Sequence, residues 1–191
     1  MSTITQHTWR DTADMTQSLI ARLRAGDADA GKLLDELYRE AIYRFCWGYL
    51  ENTADTEDAV QEVFCRVLRA KRFPDNFRAW VYRVARNYCH DAARRQALRR
   101  AEGGLPCDSQ LGKAVTGNLT RLVKREVRSQ MMRVFASLPT EQREILSLRY
   151  TEGLSRAEIA EVLDLTEPVV KSRLFEGLKK LRQHEALADD R

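Results

Sequence analysis

At 191 residues the chain has room for one ordinary domain or two small ones, and its 43% hydrophobic content supports packed cores and excludes wholesale disorder. Thirty-two lysines and arginines are nearly balanced by 28 aspartates and glutamates, a net charge of +4, so any contact with a polyanion must come from local segregation of charge. No apolar run is long enough to cross a bilayer, direct membrane insertion is excluded, and the polar first 14 residues lack the apolar stretch of a secretion signal, which makes the cytoplasm the expected location.

Glycine and proline are scarce and apolar residues recur at three and four, so the reading is all-α, with two small helical domains joined by a flexible linker. Residues 1–15 are expected to be a disordered extension. A short helix over 16–24 precedes Gly26, and a longer one after it carries a stripe of Leu33, Leu37, Ala41, Phe45 and Tyr49. A third begins near Asp55 with Asn52 or Thr53 as cap and buries Val60, Val63, Phe64 and Val67. Pro74 interrupts the pattern, Asn76 is placed to cap the next helix, and residues 77–95 are strongly amphipathic.

From residue 99 to 118 the periodicity fails, and Gly103, Gly104, Pro106, Gly112 and Gly117 mark a linker. It separates a domain over 16–98 from one over 119–191. Beyond it, Val123, Val127, Met131, Val134 and Leu138 predict a helix ending at Pro139, followed by helices over 141–150, 156–163 and 167–182. The cysteines Cys46, Cys65, Cys89 and Cys107 form no CxxC pair and no Cys/His set spaced for zinc, so they are expected to be buried reduced thiols with no metal or other cofactor.

The C-terminal stretch SRAEIAEVLDLTEPVVKSRLFEGLKKLR carries the sharpest signal. Ser155 and Glu158 make a capping-box pair, Thr166 is placed to cap the next helix, and Asp164 and Leu165 leave only a helix-turn-helix connection. Asp164 takes the turn position where glycine is commoner, since aspartate tolerates the left-handed conformation. Val170, Leu174, Leu178 and Leu181 are expected to face inward with Ile159 and Leu163, and Ala160 to permit the close crossing. That turns Pro168, Ser172, Phe175, Glu176 and Lys179 outward, with Lys171 and Arg173 on the flanks. Lysine and arginine reach phosphate or guanine edges, serine bonds to either, and phenylalanine or proline touches a thymine methyl, so this face suits a major groove. A plain helical hairpin with a solvated basic face is the simpler reading, and the capped short turn weighs against it.

In residues 77–95 the apolar side gathers Phe77, Trp80, Val81, Val84, Ala85, Tyr88 and Ala92, while Arg83, Arg86, Asn87, His90 and Arg94 gather opposite. The loop before it, KRFPDN, sets cations, an aromatic ring and amide or carboxylate groups together, as would suit an unstacked base. Trp80 and Phe77 fall on the apolar side and are assigned to the core. The preceding segment DTEDAVQEVF is acidic, and phosphate would repel Asp55, Glu57, Asp58 and Glu62. A helix macrodipole favours carboxylates in a first turn, which gives part of this acidity a structural reason. The alternative is that the acidic face meets a partner other than nucleic acid.

Three motifs in this order, DTEDAVQEVF, then FPDNFRAWVYRVARNYCHDAARR, then LPTEQREILSLRY before the helix-turn-helix, resemble the extracytoplasmic function sigma factors, the smallest group of the bacterial sigma-70 family. The resemblance spans residues 16–182. It implies that 16–98 is sigma-70 region 2, taking the −10 element and binding core RNA polymerase, and that 119–191 is region 4, taking the −35 element. The helix at 55–64 would then meet the β′ clamp helices through Asp55, Asp58, Gln61 and Glu62, with the β flap as a further polymerase contact. Lys71, Arg72, Phe73, Asp75 and Asn76 would match the loop that captures a flipped base, and Arg83, Arg86, Asn87 and Arg94 the strand-opening helix. The −35 reader would comprise Thr166, Pro168, Lys171, Ser172, Arg173, Phe175, Glu176 and Lys179.

The resemblance further implies control by an anti-sigma factor, usually membrane-anchored, and no catalysis by the chain itself. The sequence departs from the family pattern at Glu167, Pro168 and Val169, where relatives commonly show a glycine and a threonine. Proline is tolerated in a first turn, but a contact from that threonine is lost and the −35 preference should differ. Two rival readings make other demands. A helix-turn-helix regulator with an N-terminal sensor or dimerisation module needs no polymerase-binding helix. An enzyme of nucleic-acid metabolism using His90, Asp91 or the acidic helix needs a metal, and neither a Gly-rich phosphate loop nor a paired ligand motif is present.

Overall fold

The computed structural model describes residues 4–101 and 138–189. The chain divides into two compact units, Met1–Ser109 and Gln110–Arg191. Every regular element among the described residues is helical, as the sequence periodicity requires.

The first unit contains α1 (Ile4–Ala25), α2 (Ala30–Leu50), α3 (Thr53–Arg69) and α4 (Phe77–Ala101). Helix α1 starts at Ile4, well before the helix expected from residue 16, so residues 4–15 of the expected disordered extension are helical. No glycine or proline precedes Gly26, so a helix anchored by the buried Leu19 and Ile20 meets no breaker on its N-terminal side. The poverty in apolar residues there forecast a missing core, which propagation of an existing helix does not need. Gly26 at φ +68 ends α1 by taking the left-handed conformation, and its N–H donates to the Leu23 carbonyl.

Helix α2 buries Leu34, Tyr38, Ile42, Phe45, Cys46 and Leu50. Of the expected stripe only Phe45 is buried, and Leu33, Leu37, Ala41 and Tyr49 lie half-buried along its edge. Two rows of residues four apart run side by side here, each with one tyrosine, and the helices packed against α2 select the row of Leu34, Tyr38, Ile42, Cys46 and Leu50 for the centre of the bundle. Tyr38 meets Phe77 edge-on at 6.0 Å, and its hydroxyl lies 3.3 Å from the Thr16 hydroxyl, which satisfies the polar end.

Phe45 meets Tyr82 at 5.3 Å and Tyr49 meets His90 at 5.5 Å, so residue numbers rise together along α2 and α4 and these two helices run parallel. Between them α3 runs the other way, with Phe64 under the Arg39 guanidinium and the Leu68 side chain close to Gly31. The Asn52 side chain caps α3 by accepting from the Asp55 N–H at 3.0 Å. Val60, Val63, Phe64 and Val67 are buried as expected, and so is Thr56, whose hydroxyl donates to the Asn52 carbonyl at 2.7 Å.

Helix α4 buries Phe77, Ala79, Val81, Tyr82, Ala85 and Cys89, while Trp80, Val84, Tyr88 and Ala92 of the expected apolar side are half-buried. Its buried arc turns toward Tyr82 and Cys89 because α4 packs on both α2 and α3, a placement that hydropathy along one helix does not reveal. Burial of each large apolar side chain in this core contributes about 1.5–3 kcal/mol. Cys46 and Cys89 are both buried, and the Cys89 thiol is pushed up in pKa, first by its hydrogen bond to Cys46 and then by burial. The Cys89 thiol therefore stays protonated and inert at neutral pH. Cys65 is half-buried, and Cys107 lies outside the described residues. Helix α4 reaches Ala101, into the first positions of the expected linker, because the nearest breaker is Gly103.

In the second unit, the helix expected over residues 123–138 lies outside the described residues except for the buried Leu138. Next come α5 (Thr140–Leu146), a π-helical turn (Ser147–Thr151), α6 (Arg156–Leu163) and α7 (Glu167–Asp189). A single α-helix was expected over 141–150. Instead the backbone widens after Leu146, with Glu152 N–H donating to the Ser147 carbonyl. The Arg149 guanidinium donates to the Leu154 carbonyl at 2.8 Å and Gly153 takes φ +67, which together close the turn and bury Leu154.

Helix α6 carries the full capping box: Ser155 Oγ accepts from the Glu158 N–H at 3.1 Å and the Glu158 carboxylate accepts from the Ser155 N–H at 2.7 Å. Asp164 adopts φ 56, ψ 48, the left-handed turn position expected of it. Ile159, Ala160, Val162, Val170 and Leu174 are buried, while Leu163, Leu178 and Leu181 are half-buried. Gly177 is the residue the sequence reading missed: a Cβ there would lie 3.0 Å from the Leu146 side chain, so α7 crosses α5 more closely than any larger residue permits without a shift.

Candidate nucleic-acid interface

The acidic face is a surface of α3. Asp55, Asp58 and Gln61 are exposed, above a buried face of Ala59, Val60 and Val63. Glu62 differs from them: its carboxylate accepts from Arg66 Nε at 2.8 Å, one turn on along the same helix. The Arg66 guanidinium also lies over the Tyr88 ring at 5.6 Å, and Arg95 lies near the same ring at 5.8 Å. Burial pushes the Tyr88 phenol above its ordinary pKa against the opposing pull of Arg95, and Asp58 and Glu62 push it the same way as burial. Asp58 and Glu62 of α3 and Arg95 of α4 therefore all lie near enough to the Tyr88 ring to act on it.

In the loop before α4, Lys71, Arg72 and Asp75 are exposed. Phe73 is half-buried in an aromatic cluster, 5.9 Å from Phe77 and 6.0 Å from Trp80. Trp80, assigned to the core from the sequence, is half-buried at the rim of this cluster. The Asn76 side chain accepts from the Ala79 N–H at 3.3 Å and so starts α4, as expected of it. Two of the five loop candidates thus hold the loop's shape, and three present charge to solvent. Along α4, Arg83, Asn87 and Arg94 are exposed and Arg86 is half-buried; Asp91 stands 3.9 Å from Arg94. His90 is exposed and continues this face toward Tyr49 on α2, an edge that only the pairing of the two helices could reveal.

On α7, Thr166, Pro168, Lys171, Ser172, Phe175, Glu176 and Lys179 are exposed, and Phe175 retains 67% of its accessible surface although it is a large apolar ring. Ser172 Oγ donates to Glu176 at 3.3 Å. Lys171 and Lys179 enter no ion pair among the described residues. Arg173 is set apart: it lies half-buried at the seam with α5, with Nη1 3.0 Å from a Glu141 carboxylate oxygen. Pro168 occupies the first turn of α7, where its missing N–H costs no helical hydrogen bond.

A bundle that exposes carboxylates on one helix and arginines on the next, followed by a helix-turn-helix whose second helix exposes cations and an aromatic ring, defines a two-part DNA-binding factor. The sequence profile of sigma-70 region 2 matches residues 34–99, and that of sigma-70 region 4 matches residues 128–181. The ECF RNA polymerase sigma factor SigW of Bacillus subtilis is 30% identical over 181 residues, covering 88% of this chain and 96% of that protein. The ECF RNA polymerase sigma-E factor of Escherichia coli is 30% identical over 169 residues, covering 83% of this chain and 88% of that one.

Among solved structures, CnrH in complex with the cytosolic domain of CnrY superimposes with a TM-score of 0.64 at 24% identity, covering 92% of this chain and 98% of that one. The sigma factor RpoE of Bartonella quintana, solved with the anti-sigma factor NepR, gives 0.64 at 20% identity over 86% of this chain and all of its own. The chain belongs to the extracytoplasmic function group of the sigma-70 family.

Proposed function

We propose that the chain is an alternative sigma factor that joins core RNA polymerase, directs initiation at its own class of promoters, and catalyses no reaction itself. What supports this reading above all is the separation of charge within one small bundle: exposed carboxylates on α3 suit a protein partner, and exposed arginines on α4 suit a phosphate backbone. Asp55, Asp58 and Gln61 would meet the β′ clamp helices, with Glu62 contributing from its pair with Arg66. The second unit would engage the β flap and the −35 element.

Within the loop, Lys71, Arg72 and Asp75 would handle the displaced strand, while Phe73 and Asn76 keep the loop open and in place. The α4 face of Arg83, Arg86, Asn87 and Arg94 would hold the opened −10 region. On α7, Lys171 and Lys179 would contact phosphate, and Thr166, Pro168, Ser172, Arg173, Phe175 and Glu176 the base edges. Control by an anti-sigma factor fits the two structural neighbours, each solved with such a partner or with the cytosolic domain of one protein. None of the helices among the described residues is long and apolar enough to cross a membrane. The family reading puts its action in the cytoplasm, under an inhibitor anchored in the membrane.

The test is run-off transcription with sigma-free core polymerase on the genomic fragment upstream of the chain's own gene. Discrete start sites that need the purified chain support the reading. Stoichiometric failure to bind core polymerase would instead favour a stand-alone helix-turn-helix regulator.

A further inference from the structure

We infer that Glu141 is a specificity-determining positioning residue for the DNA-reading helix, acting through Arg173; this rests on the reading of α7 as that helix. Two contacts lie along one seam between α5 and α7. Gly177 lets α7 approach Leu146 to 3.0 Å from an added Cβ, and one turn earlier Arg173 runs along the same seam with its Nη1 3.0 Å from Glu141. The arginine side chain keeps 37% of its surface and Glu141 keeps 73%, so the guanidinium is held at the mouth of the seam and the carboxylate holding it stands in solvent.

A guanidinium has five N–H donors in a rigid planar fork. With Nη1 beside Glu141, the guanidinium is biased toward the seam, and Nε and Nη2 remain to reach DNA. An untethered arginine reaches any nearby phosphate and spends side-chain entropy on each contact; a tethered one presents its fork to one place and has little left to lose. The tether also has an electrostatic cost, because an exposed carboxylate beside a polyanion weakens binding to every sequence alike. Glu141 therefore trades affinity for discrimination. Ser172, held by Glu176 on the adjacent surface, shows the same arrangement of a reading group steadied by a carboxylate.

The experiment uses the full chain assembled on core polymerase, with a duplex pool randomised upstream of a fixed melted segment. Binding is measured to the selected duplex and to a scrambled one. Glu141→Ala should lower the ratio of selected to scrambled affinity roughly tenfold, the scale of one well-placed arginine contact, while scrambled binding stays equal or tightens. Arg173→Ala should lower the ratio as much, and the double variant no further. Glu141→Gln keeps an acceptor without the charge and should recover most of the ratio. An unchanged ratio in Glu141→Ala, or losses that multiply in the double variant, would overturn the inference while leaving the sigma assignment standing. If the wild-type chain itself separates no selected duplex from the pool, the sigma assignment falls and takes the inference with it.

Discussion

The two units use the same helical backbone but hold their shape by different means. The first is a bundle of long helices around an aromatic core, in which Tyr38 meets Phe77 and Phe45 meets Tyr82 across α2 and α4. The second sets two short helices, α5 and α6, against the long α7, and their placement depends on what lies between them: a π-helical turn closed by Arg149, a capping box at Ser155, a left-handed Asp164 and the narrow crossing at Gly177. Long helices bury enough surface to be positioned by their sides. Short ones must be positioned by their ends, because each turn of helix contributes too little burial to fix an angle.

This contrast is open to direct attack, most forcefully in the first core. Tyr82→Ala removes a ring that is 1% exposed and should cost about 3–5 kcal/mol, read as lost hydrogen-exchange protection in α2, α3 and α4. A loss below 1 kcal/mol would mean that the aromatic cluster is not what organises the bundle. In the second unit the turn should matter more than any exposed helix position. Asp164→Val puts a β-branched residue at φ 56 and should destabilise by about 1–2 kcal/mol, with protection falling in α6 and α7 and unchanged in α2.

Charge sharpens the same comparison. Asp58→Asn should weaken core polymerase binding by several-fold to roughly tenfold, and Glu62→Gln by less, since Glu62 already spends its carboxylate on Arg66. Equal effects from the two, measured by titration of core enzyme, would remove the distinction drawn between them. The smallest effect is expected on α7, where Lys171→Ala should reduce the slope of log affinity against log salt by about one, the signature of one lost phosphate contact. An unaltered slope would place Lys171 off the DNA.

Much of this was legible residue by residue where a local rule applies. The Asn52 and Asn76 caps, the Ser155–Glu158 box and the Asp164 turn are decided within four residues of sequence, and each has the expected geometry. The buried rows were less legible. On α2 and α4 the core also runs through Tyr38, Cys46, Tyr82 and Cys89, one position away from the expected stripes, because which of two adjacent rows faces inward depends on the helices packed against it. Among the proposed DNA contacts, exposure of Lys171, Ser172 and Phe175 followed from spacing along one helix, whereas the pairing of Arg173 with Glu141 joins residues distant in sequence and carries no local signal.

By itself, then, the sequence determined the helical class, the starts of α3 to α7, the helix-turn-helix and which residues carry charge, because these depend on interactions within a turn or two of the chain. Tertiary structure alone decided which row of each helix is buried, how closely α7 approaches α5, and which charges are already partnered, because each of those depends on a neighbour supplied from elsewhere in the chain.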